Sequence, residues 1–432
     1  MRSLQHLAIL LLQLFLLQGV VNFGPRLAAA YSGASATLFS VVPPGFVCPE
    51  GLFAFGGSVV DTGNSLTAMP FASRVENLPY GVNFFKRPAR RYSDGRVIVD
   101  YLAQAFKFPL LTPYLRSIDP DFSRGANFGY AGATIIRKTA TYTRFFFGVQ
   151  QNQLLRLKQN SLQVRSQAPA LAGFTVTRGL PRNETFSRGL YIIKFGLKND
   201  LSELVNSGAL SFENATREYV PEIVSEIISG IQNLYENAGA RMFMVFNPTL
   251  VGCLPSTLTA FAQRNVSFAE DEFGCVAEWN DLQNAYNCQL DAAIKNLRPT
   301  LPNATIFLAD SFSVQKKVFS NPESFGFKKE FLLKTCCGYG GEYNYDEDRK
   351  CADKYEEDGI TTRVGACESP NDYVSWDGIH DTEALSRIYA QYALTGKFLD
   401  PPVDLSTLCD LDLSKFSDST FAEAYPNATL LD

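Results

Sequence analysis

Four short, predominantly apolar runs recur along this chain, each separated from the next by amphipathic sequence. They are Leu52-Phe53-Ala54-Phe55, Leu190 to Phe195, Arg241 to Phe246 and Thr305 to Ala309. A strand with one wet face alternates polar and apolar residues, whereas a continuous apolar run implies cover on both faces. Between the runs the period changes. Val220 to Asn237 places Ile223, Ile227, Ile228, Ile231 and Leu234 on one side of a helix, and further helices are expected from Arg96, around Asp281 to Leu297, and from Glu383 to Thr395. Strands alternating with helices predict an α/β fold, an open doubly wound three-layer α/β/α sandwich with a mostly parallel sheet. In such a sheet chemistry sits beyond the carboxyl ends of the strands, and Ser58 and Asn199 both fall just after predicted strands.

The first thirty residues read as an address. Arg2 gives a basic start, Leu7 to Leu17 an apolar stretch, and Ala28-Ala29-Ala30 a small-residue cleavage site. Gln13, Gln18 and Gly19 keep that stretch below the ~20 apolar residues a membrane span needs. The expected organisation is a signal peptide at 1–30, a lead-in at 31–48, one hydrolase-sized domain at 49–400, and a loosely packed tail at 401–432. No later segment is apolar enough for stable membrane insertion. Five sequons, at Asn183, Asn214, Asn265, Asn303 and Asn427, offer glycan sites for an exported chain.

Nine cysteines fit an oxidising compartment, with eight of them from Cys253 onward. Cys253 with Cys275, and Cys336 or Cys337 with Cys351 and Cys367, are the expected bridges. The odd count leaves one thiol unpaired or bridging between chains. Zinc would call for paired Cys-x-x-Cys spacing, which is absent, so structural disulfides are the better reading. The formal charge of −5 falls to −7 when Arg2 and Arg26 leave with the leader, which argues against nucleic acid as a partner.

Beyond the leader the chain holds a single histidine, His380, in Trp376-Asp377-Gly378-Ile379-His380. One imidazole means one ordinary general base near neutral pH. Asp377, three residues earlier, is placed to hold one ring nitrogen and leave the other for a nucleophile. The run Leu52 to Phe55 breaks into Gly56-Gly57-Ser58, a strand-to-turn junction that would expose a hydroxyl. A serine hydroxyl needs a base to take its proton, and an ester oxyanion needs donors. These residues point to a serine hydrolase.

Phe55-Gly56-Gly57-Ser58-Val59-Val60-Asp61-Thr62-Gly63-Asn64 resembles the first block of plant-type GDSL esterase/lipases, members of the SGNH hydrolase superfamily. Similar segments follow in order: Pro79-Tyr80-Gly81 with Arg91 to Arg96, Gly125 to Thr134, Asn199-Asp200, Cys336 to Gly341, and Trp376 to His380. The likeness spans roughly residues 50 to 397. It implies the SGNH hydrolase fold with a flavodoxin-like sheet, Ser58 as nucleophile, His380 as base and Asp377 as its orienter. It also implies an oxyanion hole made by the backbone N–H groups of Ser58 and Gly132 and the side-chain amide of Asn199. Three departures stand out. Gly57 replaces the family's usual Asp, Ala131 a common glycine, and Gly196-Leu197-Lys198-Asn199 is one residue longer than usual.

The expected function is a secreted carboxylic ester hydrolase working without a cofactor or metal through an acyl-serine. Its substrate would be a small-molecule, lipid or acetylated-glycan ester in a cell-wall or apoplast-like space. The alternatives are a transacylase with the same triad and a non-catalytic protein that binds a glycan or lipid. Arg144 with Phe145 to Phe147 suggests a core run before an acyl channel. Lys86, Arg87, Arg90 and Arg91 suggest a solvated loop before a site for acidic polysaccharide. Asp346 to Asp358 lacks calcium-loop spacing.

Overall fold

The computed structural model describes residues 42–43, 46–71, 73–167, 177–264 and 268–416. The proposed leader, most of the lead-in, the sequons at Asn265 and Asn427, and residues 417–432 lie outside them.

Among the described residues eight strands are formed: β1 (Leu52–Gly56), β2 (Gly125–Asn127), β3 (Leu190–Lys194), β4 (Met242–Phe246), β5 (Thr305–Ala309), β6 (Lys354–Glu357), β7 (Ile360–Arg363) and β8 (Leu399–Asp400). Six of them build one sheet in the order β2-β1-β3-β4-β5-β8. All its pairs are parallel except the antiparallel edge strand β8. Strands β6 and β7 form a separate hairpin.

Because side chains alternate across a strand, each apolar run feeds two cores. Phe53, Phe55, Tyr191, Ile193, Phe243 and Val245 face one way, onto α3 (Phe147–Gln167), α4 (Leu197–Asn206), α5 (Val220–Asn233) and α7 (Ala277–Leu297). Leu52, Ala54, Leu190, Ile192, Met242 and Met244 face the other, onto α2 (Ile98–Ala105), α8 (Ser311–Ser320) and α9 (Glu383–Thr395). Two short helices complete the frame around the strand ends: α1 (Asn64–Ala68), just after β1, and α6 (Pro255–Gln263), after β4. This is the expected sandwich.

Sequence patterning misses β2 and β8. Three residues of Gly-Ala-Asn and two of Leu-Asp are too short to carry a period, and tertiary pairing alone makes them strands. Helix α3 is missed too, since its exposed face is rich in Gln and Arg and few of its residues are buried. Residues 401–416 also differ from the loose tail expected of them. Val403, Leu405 and Phe416 are buried, and Cys409 is bonded to Cys48.

The bridges Cys253–Cys275, Cys336–Cys367 and Cys337–Cys351 follow the expected local groupings. Cys48–Cys409 spans 361 positions and has no local signal. Cys288, on α7, is the remaining thiol and is exposed.

Candidate active site

The sheet reverses its winding at β1, which has β2 on one side and β3 on the other. Loops leaving β1, β2 and β3 therefore part at one end of the sheet and open a crevice. Gly56 ends β1 opposite Lys194 of β3, with φ +155°. A β-carbon there would lie 2.1 Å from the Lys194 carbonyl oxygen, so the turn needs glycine. The Gly56 peptide is gripped from both sides by Gln150. Its N–H donates to Oε1 and its carbonyl accepts from Nε2, each at 2.9 Å.

Asp61 ties down the rest of the turn. Its carboxylate accepts from the backbone N–H of Gly63, Asn64 and Ser65, at the start of α1, and from Ala131 beyond β2. One side chain thus holds the first and second blocks together.

Ser58 Oγ lies 2.8 Å from His380 Nε2. His380 Nδ1 lies 2.8 and 2.9 Å from the two oxygens of Asp377. The carboxylate also accepts the backbone N–H of Ile379 and His380, and the Tyr80 hydroxyl donates to its Oδ2 at 2.8 Å. All three residues are buried to within a tenth of full cover, so Ser58 opens to solvent through a narrow face. Burial by itself would raise the Asp377 pKa. His380 and the hydrogen bonds outweigh it and hold the group down to about 2. Tyr92 packs its ring 5.1 Å from the imidazole.

Asn199 occupies the first turn of α4, and its Nδ2 donates to the Ala133 carbonyl at 2.9 Å. A β-carbon on Gly57 would lie 3.0 Å from that nitrogen. The amide therefore stands beside Ser58, with a second N–H left to donate. Gly57 leaves it room, and Leu197 and Lys198 before it already belong to the helix. Gly132 sits in the adjoining turn with φ +76°. Among the described residues, the backbone N–H groups of Ser58 and Gly132 donate to no protein acceptor.

The other sequence candidates are dispersed. Arg91 is buried against Asp100, while Lys86 and Arg90 are exposed. Phe147 joins the core beside Phe55 and Phe195, and Phe145 stacks on Tyr130. Phe146 borders an open cleft of about 600 Å³ with Arg137 and Arg144. Among the described residues, the one tight group of potential metal ligands is Cys253, Asp271 and Cys275, whose two sulfurs are already bonded to each other. Tyr80, Gln150 and Asp61 had no assigned role in the sequence reading. Asp61 lies inside the first block, but nothing in the sequence marks Gln150.

A hydroxyl, an imidazole and a carboxylate in line at the end of a parallel sheet have the arrangement a serine hydrolase requires. The chain belongs to the GDSL-like lipase/acylhydrolase family, whose model matches residues 52–393. It is 35% identical to the GDSL esterase/lipase ENOD8 of Medicago truncatula, over 85% of this chain and 93% of that protein. It is 36% identical to an esterase of Hevea brasiliensis, over 83% and 88%. It is also 34% identical to a protein named alpha-L-fucosidase 3 of Arabidopsis thaliana, over 78% and 87%. The family and its relatives make this an esterase/lipase-type hydrolase of small-molecule esters. Among the described residues no helix is long and apolar enough to cross a membrane.

Proposed function

We propose that the chain is a secreted carboxylic ester hydrolase in which Ser58 attacks the acyl carbon, His380 moves the proton and Asp377 orients the ring. The observation that carries this reading is the 2.8 Å approach of Ser58 Oγ to His380 Nε2. His380 takes the serine proton as the carbon–oxygen bond forms, then gives it to the departing alcohol. Asp377 keeps Nδ1 protonated and steadies the imidazolium. The N–H groups of Ser58 and Gly132 and the Asn199 amide receive the oxyanion. Water, deprotonated by His380, then cleaves the acyl-serine and returns the free acid.

Four disulfides and exposed sequon asparagines at Asn183 and Asn303 support an extracellular setting, with the leader and domain limits as expected above. Lipid esters and acetylated glycans are the substrate classes in view. The fucosidase name of one relative raises glycoside cleavage, which ordinarily uses two carboxyl groups flanking the bond. The Asp377 carboxylate is instead turned onto His380 and Tyr80, which favours acyl transfer. The test is turnover of p-nitrophenyl acetate and longer esters, and of p-nitrophenyl α-L-fucoside, by the wild type and Ser58→Ala. Ester turnover lost in Ser58→Ala supports the reading. Equal ester rates in the two proteins, or fucoside turnover untouched by the substitution, would overturn it.

A further inference from the structure

We propose that Lys198 is a positioning residue, joining the helix that carries Asn199 to the loop that carries Asp377 and His380 by way of Ser256. The inference rests on the ester-hydrolase reading of the site.

A closed ring of contacts surrounds the reacting hydroxyl. Ser58 meets His380 at 2.8 Å, and His380 follows Gly378 by two residues. The Gly378 carbonyl accepts the backbone N–H of Ser256, the second residue of α6, at 3.1 Å. The Ser256 hydroxyl lies 3.2 Å from Lys198 Nζ, and Lys198 immediately precedes Asn199. The Asn199 amide returns to the space beside Gly57, next to Ser58. Lys198 closes this ring between the proposed oxyanion donor and the proposed acid–base loop.

The loop needs such a support. Gly378 has φ +89°, and the Tyr345 ring fills the place of a β-carbon, so its peptide is wedged between Tyr345 and Ser256. Tyr345 is steadied in turn by its hydroxyl bond to Glu347 at 2.7 Å. Burial lowers the Lys198 pKa to about 8, an effect that the charges of Asp377 and Glu347 offset only in part. An amine donating to the Ser256 hydroxyl ties α4 to the residue whose backbone N–H holds the Gly378 carbonyl, and so resists rotation of α4 relative to the loop. Misplacement on the scale of ~1 Å costs roughly two orders of magnitude in rate.

The experiment compares Lys198→Met, Ser256→Ala, the double variant and Ser58→Ala on p-nitrophenyl acetate, alongside thermal unfolding. Lys198→Met is expected to lower kcat by about 10- to 100-fold, with KM within about twofold and the unfolding midpoint near the wild type. Ser256→Ala should lower kcat by a smaller factor, and the double variant should be no worse than Lys198→Met, as coupled partners require. Unchanged kcat in Lys198→Met, independent multiplication of the two effects, or a loss matched by unfolding would overturn the proposal. If Lys198→Met does not fold, Ser256→Ala decides: kcat equal to wild type rejects the bridge. Ser58→Ala separates the two levels. Its inactivity beside a fully active Lys198→Met rejects the positioning role alone, whereas equal wild-type and Ser58→Ala rates reject the ester reading as well.

Discussion

Tyr80 and Asp377 stand 297 positions apart in the chain and meet in a 2.8 Å hydrogen bond inside the protein. The phenol is buried, and its own ionisation is pushed well above the ordinary range by burial and by the adjacent carboxylate. It therefore stays a donor at any working pH. Asp377 is thus held from two sides, by the His380 imidazole and by a neutral hydroxyl behind it.

Tyr80→Phe removes that donor without changing the packing of the ring against Trp376. A hydrogen bond to a charged group is worth about 1.5–3 kcal/mol, so kcat should fall by about tenfold or more. The carboxylate should also become easier to protonate. With a folded pKa of about 2 against 3.8 unperturbed, Asp377 contributes stability that is complete above pH ~4 and disappears as pH falls through ~2. Urea titrations between pH 2 and 6 should show that contribution, about 2 kcal/mol, shrinking in Tyr80→Phe. An acid profile identical to the wild type would rule out the coupling.

Asn199→Ala tests the amide beside Ser58. Loss of one oxyanion donor costs about 10²–10³ in turnover. Because the interaction strengthens only as the tetrahedral intermediate forms, KM should change little. Steady-state kinetics on a short-chain ester checks this, and a change confined to KM would place Asn199 in substrate binding.

Lys194 is buried at the end of β3 between the rings of Phe246 and Tyr389, and burial lowers its pKa to about 8. Asp381 opposes that shift, and burial raises its own pKa to about 6. For a lysine depressed from 10.5, the unfolded chain binds the extra proton between pH ~8 and ~10.5, so folding gains stability as pH rises through that window. Relative to Lys194→Met, the wild type should gain about 3 kcal/mol between pH 7.5 and 10.5. Denaturant unfolding of both proteins across this range supplies the measurement, and parallel curves would contradict it.

The Cys48–Cys409 bridge closes nearly the whole described chain into a loop. Loop-closure entropy for so long a span places its contribution at the upper end of about 2–5 kcal/mol. The Cys48→Ser/Cys409→Ser variant should unfold at lower temperature yet keep ester turnover, since neither cysteine contacts the Ser58 site. With eight cysteines paired and Cys288 exposed, one thiol per chain should react with a thiol reagent in the native state.

The strands that hold the crevice were legible because burial on both faces demands runs such as Leu52–Phe55 and Met242–Phe246, which composition alone reveals. Helix α9 was legible from end to end, since the expected Glu383 to Thr395 is the helix formed. Ser58, Asp377 and His380 could be nominated because a lone imidazole with a neighbouring carboxylate has few other uses. Gly132 came from likeness to a family, and Asn199 from that likeness together with its place just after a predicted strand.

Sequence by itself determined the period of the four apolar strands and of helices such as α5 and α9, the residue types at the crevice and the local cysteine groupings, because these depend on neighbours along the chain. Tertiary structure alone decided that Gln150 grips Gly56, that Tyr80 reaches Asp377, that Cys48 meets Cys409, and that three residues at Gly125–Asn127 count as a strand. Each of those contacts joins segments dozens to hundreds of residues apart. Their partners are chosen by how the layers pack, and no local period or propensity encodes that choice.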